Sequence, residues 1–213
     1  MSKVFFSVTM SLDGFITPEH MVLGQPVERW IGKWMELQQY VFQQKFFREN
    51  LKLGDGGETG WDNDFLEHTY RRTGVSIMGK RMFELGEELW PEEAPFHTPV
   101  FVLTHSVRDP WERPGGTTFH FVNDGIESAL RQAREVSGGR DIRIAGGADV
   151  IRQYLNAGLV DEFSVAVSPV FLGGGVRLFE GIGWHPASVE IVQAIHSPMV
   201  THLFYAMRHE RAA

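Results

Sequence analysis

Eight short runs of β-branched and aromatic residues punctuate this chain, at Lys3–Met10, Val75–Met78, Val100–Thr104, Thr118–Val122, Ile142–Ala145, Glu162–Val167, Ser188–Ile195 and Thr201–Met207. Each has the length and composition of a strand. Between several of them lie segments with helical spacing, at Asp62–Arg72, Arg81–Leu85, Gly125–Val136 and Asp149–Ala157; in the last, Val150, Ile151, Tyr154 and Leu155 share one face. Strands that alternate with helices run largely parallel, and such a sheet is covered on both sides. Only His196–Val200 separates the final two runs, too little for a crossover helix, so these two form an antiparallel hairpin. The expected fold class is α/β: a mixed, mostly parallel eight-stranded sheet with helices on both faces and a C-terminal antiparallel hairpin. A chain of 213 residues with 43% hydrophobic content carries one well-buried core, and residues 1–213 read as a single domain.

Residues 18–60 break the rhythm and read as a helical insertion. Pro26–Leu53 is expected to form one long amphipathic helix, with Val27, Trp30, Ile31, Trp34, Leu37, Val41 and Phe46 at helical spacing. Phe42 and Phe47 fall nearer its other side. That surplus of aromatic surface packs on the domain, forms a subunit interface or closes over a substrate as a lid. Gly54–Gly60 follows as a glycine-rich hinge. No strand precedes it, and Asp55 and Glu58 repel an anion, so it reads as a linker. The polar tail at 209–213 is expected to be loosely ordered.

A net charge of −7 argues against a nucleic-acid partner. Without cysteine there is neither a disulfide framework nor thiolate chemistry, and the histidines show no metal-ligand spacing, so no metal is expected. Ser106 and Ser168 lack the Gly-x-Ser-x-Gly elbow of a hydrolase. No run is long enough to span a bilayer, and Met1–Val8 enters a strand without a basic start and an apolar leader. The expectation is a soluble cytoplasmic protein with no membrane partner.

Four segments carry the chemistry. Ile142-Arg-Ile-Ala-Gly146-Gly147-Ala148-Asp149-Val150-Ile151 places a glycine pair between a strand and a helix. Free amides and the helix dipole there suit a phosphate, and glycine lets it approach the backbone. Gly79-Lys80-Arg81-Met82 repeats the strand–glycine–helix arrangement with two cations. Thr104-His105-Ser106 brings hydroxyl and imidazole donors to another strand end, and Ser11-Leu12-Asp13-Gly14 follows the first strand as a loop with one acid.

In this order the segments resemble the dihydrofolate reductase fold, and more closely the reductase domain of the riboflavin-pathway bifunctional deaminase-reductase and its stand-alone relatives. The resemblance is carried by Ser11–Gly14, Met78–Arg81, Leu103-Thr104, Ile144–Ala148 and Gly158–Glu162 leading to Pro169–Gly174, and it covers nearly the whole chain apart from 18–60. It implies that Gly79, Lys80, Arg81 and Met82 lie along the diphosphate and 2′-phosphate of NADPH. Leu103, Thr104, His105 and Ser106 would cup the 2′-phosphate, and Gly146, Gly147, Ala148, Asp149, Val150 and Ile151 would hold the diphosphate. Thr9, Ile16 and Thr17 would frame the nicotinamide. Cations and hydroxyls suit a 2′-phosphate, whereas a bare ribose favours an acid. Met82 stands where the family commonly has threonine. The same comparison marks Gly146-Gly147 as a candidate cis peptide.

Two acids are candidate catalytic residues. Asp13 either orients substrate or caps its turn. Asp64, offset by about one residue from the family's buried acid, either donates a proton from an apolar pocket or, like Asp62, pairs with helix amides. Pro169–Gly175 either borders the substrate pocket or is a glycine-rich connection. No deaminase motif with a zinc-binding histidine and paired cysteines is present, and no arginine occupies the usual place for a folate tail. The expected function is an NADPH-dependent oxidoreductase passing a hydride to a small pterin-, pyrimidine- or carbonyl-like heterocycle. Dihydrofolate reduction proper and a non-catalytic ligand-binding module of the same fold are the alternatives. Relatives are commonly homodimers, and the aromatic helix offers a surface for one.

Overall fold

The computed structural model describes residues 2–183 and 188–208; the 209–213 tail lies outside them. All eight expected strands form. The main sheet joins β1 (Val4–Ser11), β3 (Thr73–Gly79), β4 (Val100–Leu103), β5 (Trp111–Arg113), β6 (Thr117–Val122), β7 (Asp141–Gly146), β8 (Glu162–Ser168), β10 (Ser188–His196) and β11 (Thr201–Arg208) in the order β10-β11-β8-β1-β7-β3-β4-β6-β5. Its six central strands, β8 to β6, run parallel, and β10, β11 and β5 are antiparallel additions at the edges. A separate two-stranded sheet pairs β2 (Phe15–Pro18) with β9 (Gly175–Arg177). The sequence reading missed β2, β5 and β9, whose three or four residues are too few to show a period.

Helices α6 (Ile126–Val136) and α7 (Ala148–Asn156) cover one face. Their apolar stripes meet Val4, Phe6, Val75, Ile77, Ile142 and Ile144 in the largest core cluster. The other face carries α4 (Trp61–Arg72), α5 (Lys80–Leu89) and the insertion. Under α5, Phe83 packs against Phe119 and Phe121 at centroid distances of 5.1 Å, an edge-on arrangement that the ring quadrupoles favour.

The expected long helix over 26–53 is broken. In its place stand a short 3-10 turn (Val27–Arg29), α1 (Ile31–Leu37), α2 (Gln39–Gln43) and α3 (Lys45–Asn50). Gln44 adopts an extended conformation and bridges to Glu58, with Lys45 N donating to Glu58 O at 2.9 Å and Glu58 N to Gln43 O at 2.7 Å. The glycine-rich segment is therefore tied back onto the insertion rather than left as a hinge. Breaking the helix lets its pieces wrap the sheet: Trp30, Leu37 and Tyr40 are buried, while Trp34, Phe42 and Phe47 satisfy one another edge to face.

At the amino ends of the central strands a charge network closes the fold. Arg72 donates from Nε to Asp141 at 2.8 Å and from Nη2 to Glu162 at 2.7 Å. Lys3 reaches the second Glu162 oxygen at 2.5 Å, and its amide donates to Asp141. The Val4 amide donates to Asp161. Although its burial works the other way, these partners hold the Glu162 carboxyl below its usual range.

Candidate functional site

At the opposite ends of the strands, the sheet divides. β1 and β7 are in register only at Val4–Ile142 and Phe5–Arg143. Past that point β1 stays with β8 to Ser11, and β7 stays with β3 to Gly146. A slot opens between the two central strands. The residues that flank it, Ser7, Val8 and Met10 on one side and Arg143 and Ala145 on the other, are half-buried, whereas Val4, Phe5 and Phe6 at the paired end are buried.

The glycine turns meet at the mouth of this slot. Register brings Met78 beside Gly146 and Gly79 beside Leu103, so the ends of β7, β3 and β4 are successive neighbours, about 5 Å apart. A Cβ added to Gly79 would stand 3.0 Å from Val150 Cγ2 and 3.9 Å from Gly147 N; one added to Gly146, whose φ is +132°, would stand 3.2 Å from Met82 Sδ. The starts of α5 and α7 therefore touch, and glycine is needed for the contact. The Gly146–Gly147 peptide is cis. Neither helix has a side-chain cap, and the first turn of α5 carries Lys80 and Arg81 with no acid. Uncapped amides beside two cations fit an anionic group such as a dinucleotide diphosphate.

The cations have only loose internal partners. Lys80 is 3.4 Å from Glu84 on its own helix, and Arg81, largely exposed, is 4.0 Å from Asp149. Asp149 pairs with Arg152 on the outer side of α7. Ala148, Val150 and Ile151 are buried by the same helix. After β4, the Thr104 hydroxyl accepts the Ser106 amide at 3.1 Å, leaving Thr104, His105 and Ser106 as an accessible turn next to Gly79. On the β1 side, Ile16, like Val8, Met10 and Leu103, is half-buried against the rim of the main core. Thr17 lies in β2, and the buried Thr9 hydroxyl donates to Gln38 of the insertion at 2.8 Å.

The two acids singled out from sequence are differently placed. Asp13 is a clasp. Its carboxylate accepts from the Ser11 hydroxyl at 2.6 Å, Leu172 N at 3.1 Å and Gly173 N at 2.8 Å, tying the first loop to 170–173. The Ser11 bond above all brings its pKa down to about 2. Asp64 is exposed in the first turn of α4, because the helix turns that position to solvent, and no apolar pocket surrounds it.

The buried acid is Asp62. Its Oδ1 is 2.7 Å from Nε2 of His202, which is fully buried. His202 shares a row with Thr9 and Ala166 across β1, β8 and β11 and is walled by Trp61, Phe65, Phe204 and Tyr40. Burial lowers its pKa, against the opposing pull of Asp62. The neutral ring then donates from Nε2 to the carboxylate, and Nδ1 is buried without a partner. Burial pushes the neighbouring Tyr40 hydroxyl up to about 12, with Thr9, Asp62 and Arg143 all close enough to act on it. Sequence reading missed His202. Alternation along Thr201-His202-Leu203-Phe204 sets it on the Phe204 face, but its partner lies 140 positions away.

The RibD C-terminal domain model matches residues 2–200. The uncharacterised protein YyaP of Bacillus subtilis (strain 168) is 28% identical over 158 residues, 69% of this chain and 78% of that protein. A protein assigned to riboflavin biosynthesis from Shewanella sp. PV-4 superposes with a TM-score of 0.66 at 20% identity, covering 98% of this chain and all of that one. Dihydrofolate reductase from Enterococcus faecalis, solved with NADP(H), gives 0.56 at 14% identity over 97% of both chains. The deaminase/reductase of Thermotoga maritima gives 0.57 at 15%, covering 97% of this chain and 56% of that one. With a family match that spans nearly its whole length and a sheet of the dihydrofolate reductase type, the chain belongs to the RibD C-terminal domain family.

Proposed function

We propose that this protein is an NADPH-dependent reductase of a small heterocyclic substrate. The observation that carries this reading is the meeting of two uncapped helix starts and a hydroxyl-bearing turn at the mouth of a divided sheet. Gly79 and the amides that open α7 at Gly147, Ala148 and Asp149 hold the diphosphate, with Met82 against Gly146, while the Val150 and Ile151 amides close the turn onto Gly147 O. Lys80, Arg81, Leu103, Thr104, His105 and Ser106 hold the 2′-phosphate. Thr9, Ile16 and Thr17 present the main chain that grips the nicotinamide in the slot.

When bound, the reduced nicotinamide supplies a hydride; the protein's contribution is alignment and the exclusion of water. Asp13 positions the loop over the slot through Ser11, Leu172 and Gly173. With its low pKa it holds no proton near neutrality. The His202 Nε2–Asp62 hydrogen bond behind Tyr40, with the ring neutral, holds β11 and α4 together and has no proton to give. The assembly is a homodimer in this reading. Its contact is the edge strand β10, where Val189, Ile191 and Val192 are exposed, and light scattering on the protein with Ile191→Lys tests it.

Titration with NADPH and NADH, read by nicotinamide fluorescence and thermal shift, tests the cofactor. Stabilisation by NADPH at lower concentration than NADH is the expected result, and no response to millimolar NADPH sinks the proposal. Absorbance then follows NADPH oxidation across pterins, flavin precursors and quinones. Binding without oxidation assigns the ligand-binding alternative. Inhibition by antifolates at low concentration assigns dihydrofolate reduction proper.

A further inference from the structure

At the floor of the slot stands a cation with no counter-ion among the described residues. Arg143 occupies the last β1–β7 pair, opposite Phe5, between the buried Ile142 and Ile144 on a central strand. A guanidinium in such a position carries a desolvation cost that a paired carboxylate normally offsets. Arg72 pairs with Asp141 and Glu162, Arg108 with Glu87, Arg152 with Asp149 and Arg208 with Glu190, while Arg48, Arg113 and Arg177 donate to main-chain carbonyls instead. Among the described residues no ion pair or hydrogen bond is made by the Arg143 side chain, and its Nε is buried without a partner. Its contact is the Tyr70 ring, 5.2 Å away. The acid on this face, Asp62, is already engaged by His202.

Arg143 is nonetheless reachable. Together with Ala145 on its own strand and Ser7 on β1 it keeps partial exposure beneath the layer formed by α4 and the insertion. Alternation puts all three on one face of the sheet. The row lies beside the gap where β1 and β7 separate. The neutral Tyr40 hydroxyl lies close enough to feel the Arg143 charge. The shallow depression on the flank of α7, lined by Asp149, Arg152, Gln153, Asn156, Glu180 and Gly181, has nothing comparable, because its arginine is already neutralised.

We infer that Arg143 anchors the substrate by pairing with an oxyanion on it, a ring carboxylate or an ionised ring oxygen. A planar guanidinium accepts such groups in a two-pronged geometry and repels a protonated amine. The acceptor of the hydride is thereby an acidic heterocycle rather than a basic one. The inference rests on the reductase reading and names its substrate class; it adds no chemical step.

The test uses the full chain saturated with NADPH and three small probes: orotate for a ring carboxylate, barbiturate for ionised ring oxygens, and 2,4-diaminopyrimidine for a basic ring. Thermal shift and calorimetry on wild type, Arg143→Lys and Arg143→Met give the affinities. Orotate or barbiturate binds wild type in preference to diaminopyrimidine, and which of the two binds tells the oxyanion source. Arg143→Met weakens that binding at least tenfold, and Arg143→Lys, which keeps the charge without the fork, falls between. NADPH affinity stays within twofold in both variants. Equal probe binding by wild type and Arg143→Met overturns the inference, as does a preference for diaminopyrimidine or the absence of binding by either anion. Loss of NADPH binding by wild type instead overturns the reductase reading, and orotate binding measured without cofactor then judges Arg143 separately.

Discussion

The two ends of the central strands solve opposite problems. At the amino end a set of charges is paired off: Arg72 and Lys3 interlock with Asp141 and Glu162, and Asp161 takes the Val4 amide, across β1, β7, β8 and α4. At the carboxyl end polar groups are left over, with uncapped amides at Gly79 and Gly147 and Lys80 and Arg81 only weakly held. The first end stabilises the fold by finishing its hydrogen bonds; the second keeps donors free for something that is not part of the chain. Binding sites in parallel sheets lie at the strands' carboxyl ends, and here the distribution of unfinished bonds selects that end without appeal to any relative.

Substitutions at each end ought to have non-overlapping effects. The largest is expected at Gly146, where alanine adds a Cβ at φ +132° and 3.2 Å from Met82 Sδ. NADPH affinity by fluorescence titration falls more than tenfold while far-UV circular dichroism is retained; an unchanged affinity removes this turn from the site. Arg72→Met does the converse. Breaking a partly buried double pair costs about 2–3 kcal/mol, or roughly 5–10 °C in Tm at this chain length, with NADPH affinity within twofold. A cofactor defect in that variant would erase the distinction between the ends.

Lys80→Gln with Arg81→Gln sharpens the comparison. The preference for NADPH over NADH drops about tenfold, as expected for losing charge-assisted bonds to one phosphate, while Tm moves by no more than about a degree because the pairs they leave are exposed. Their selectivity staying intact would reassign the 2′-phosphate to Thr104–Ser106. Smallest is the acid response of Asp13. Its folded pKa lies below the unfolded value, so its contribution is full above about pH 4 and is lost as pH falls toward 2. Urea denaturation of Asp13→Asn should lack that part of the acid limb, a difference of about 1 kcal/mol or less after solvent screening. An identical pH profile would show that the clasp adds nothing to stability.

What the sequence made legible follows from the range of the interactions involved. Strand and helix positions came from local periodicity, and the glycine turns from residues whose chemistry is visible one by one. The insertion did not read correctly. Gln44 leaves the helix to pair with Glu58, a contact that helical spacing cannot anticipate. Nor did the buried pair: Asp62 and Asp64 both look like acids at a helix start, and only the approach of β11 decides that Asp62 meets His202. Arg143 was visible as the polar member of Ile142-Arg-Ile-Ala, which alternation would assign to solvent. The helices laid over that face turn it into a floor.

The parting of β1 from β7 also has a mechanical consequence. Two leaves, β10-β11-β8-β1 and β7-β3-β4-β6-β5, share a seam of only two residue pairs, held by the arginine-centred lock at one end and by the core beneath α6 and α7. A molecule wedged into the opposite end touches both leaves and braces them like a keystone. Its binding free energy then adds to the resistance of the whole sheet against coming apart.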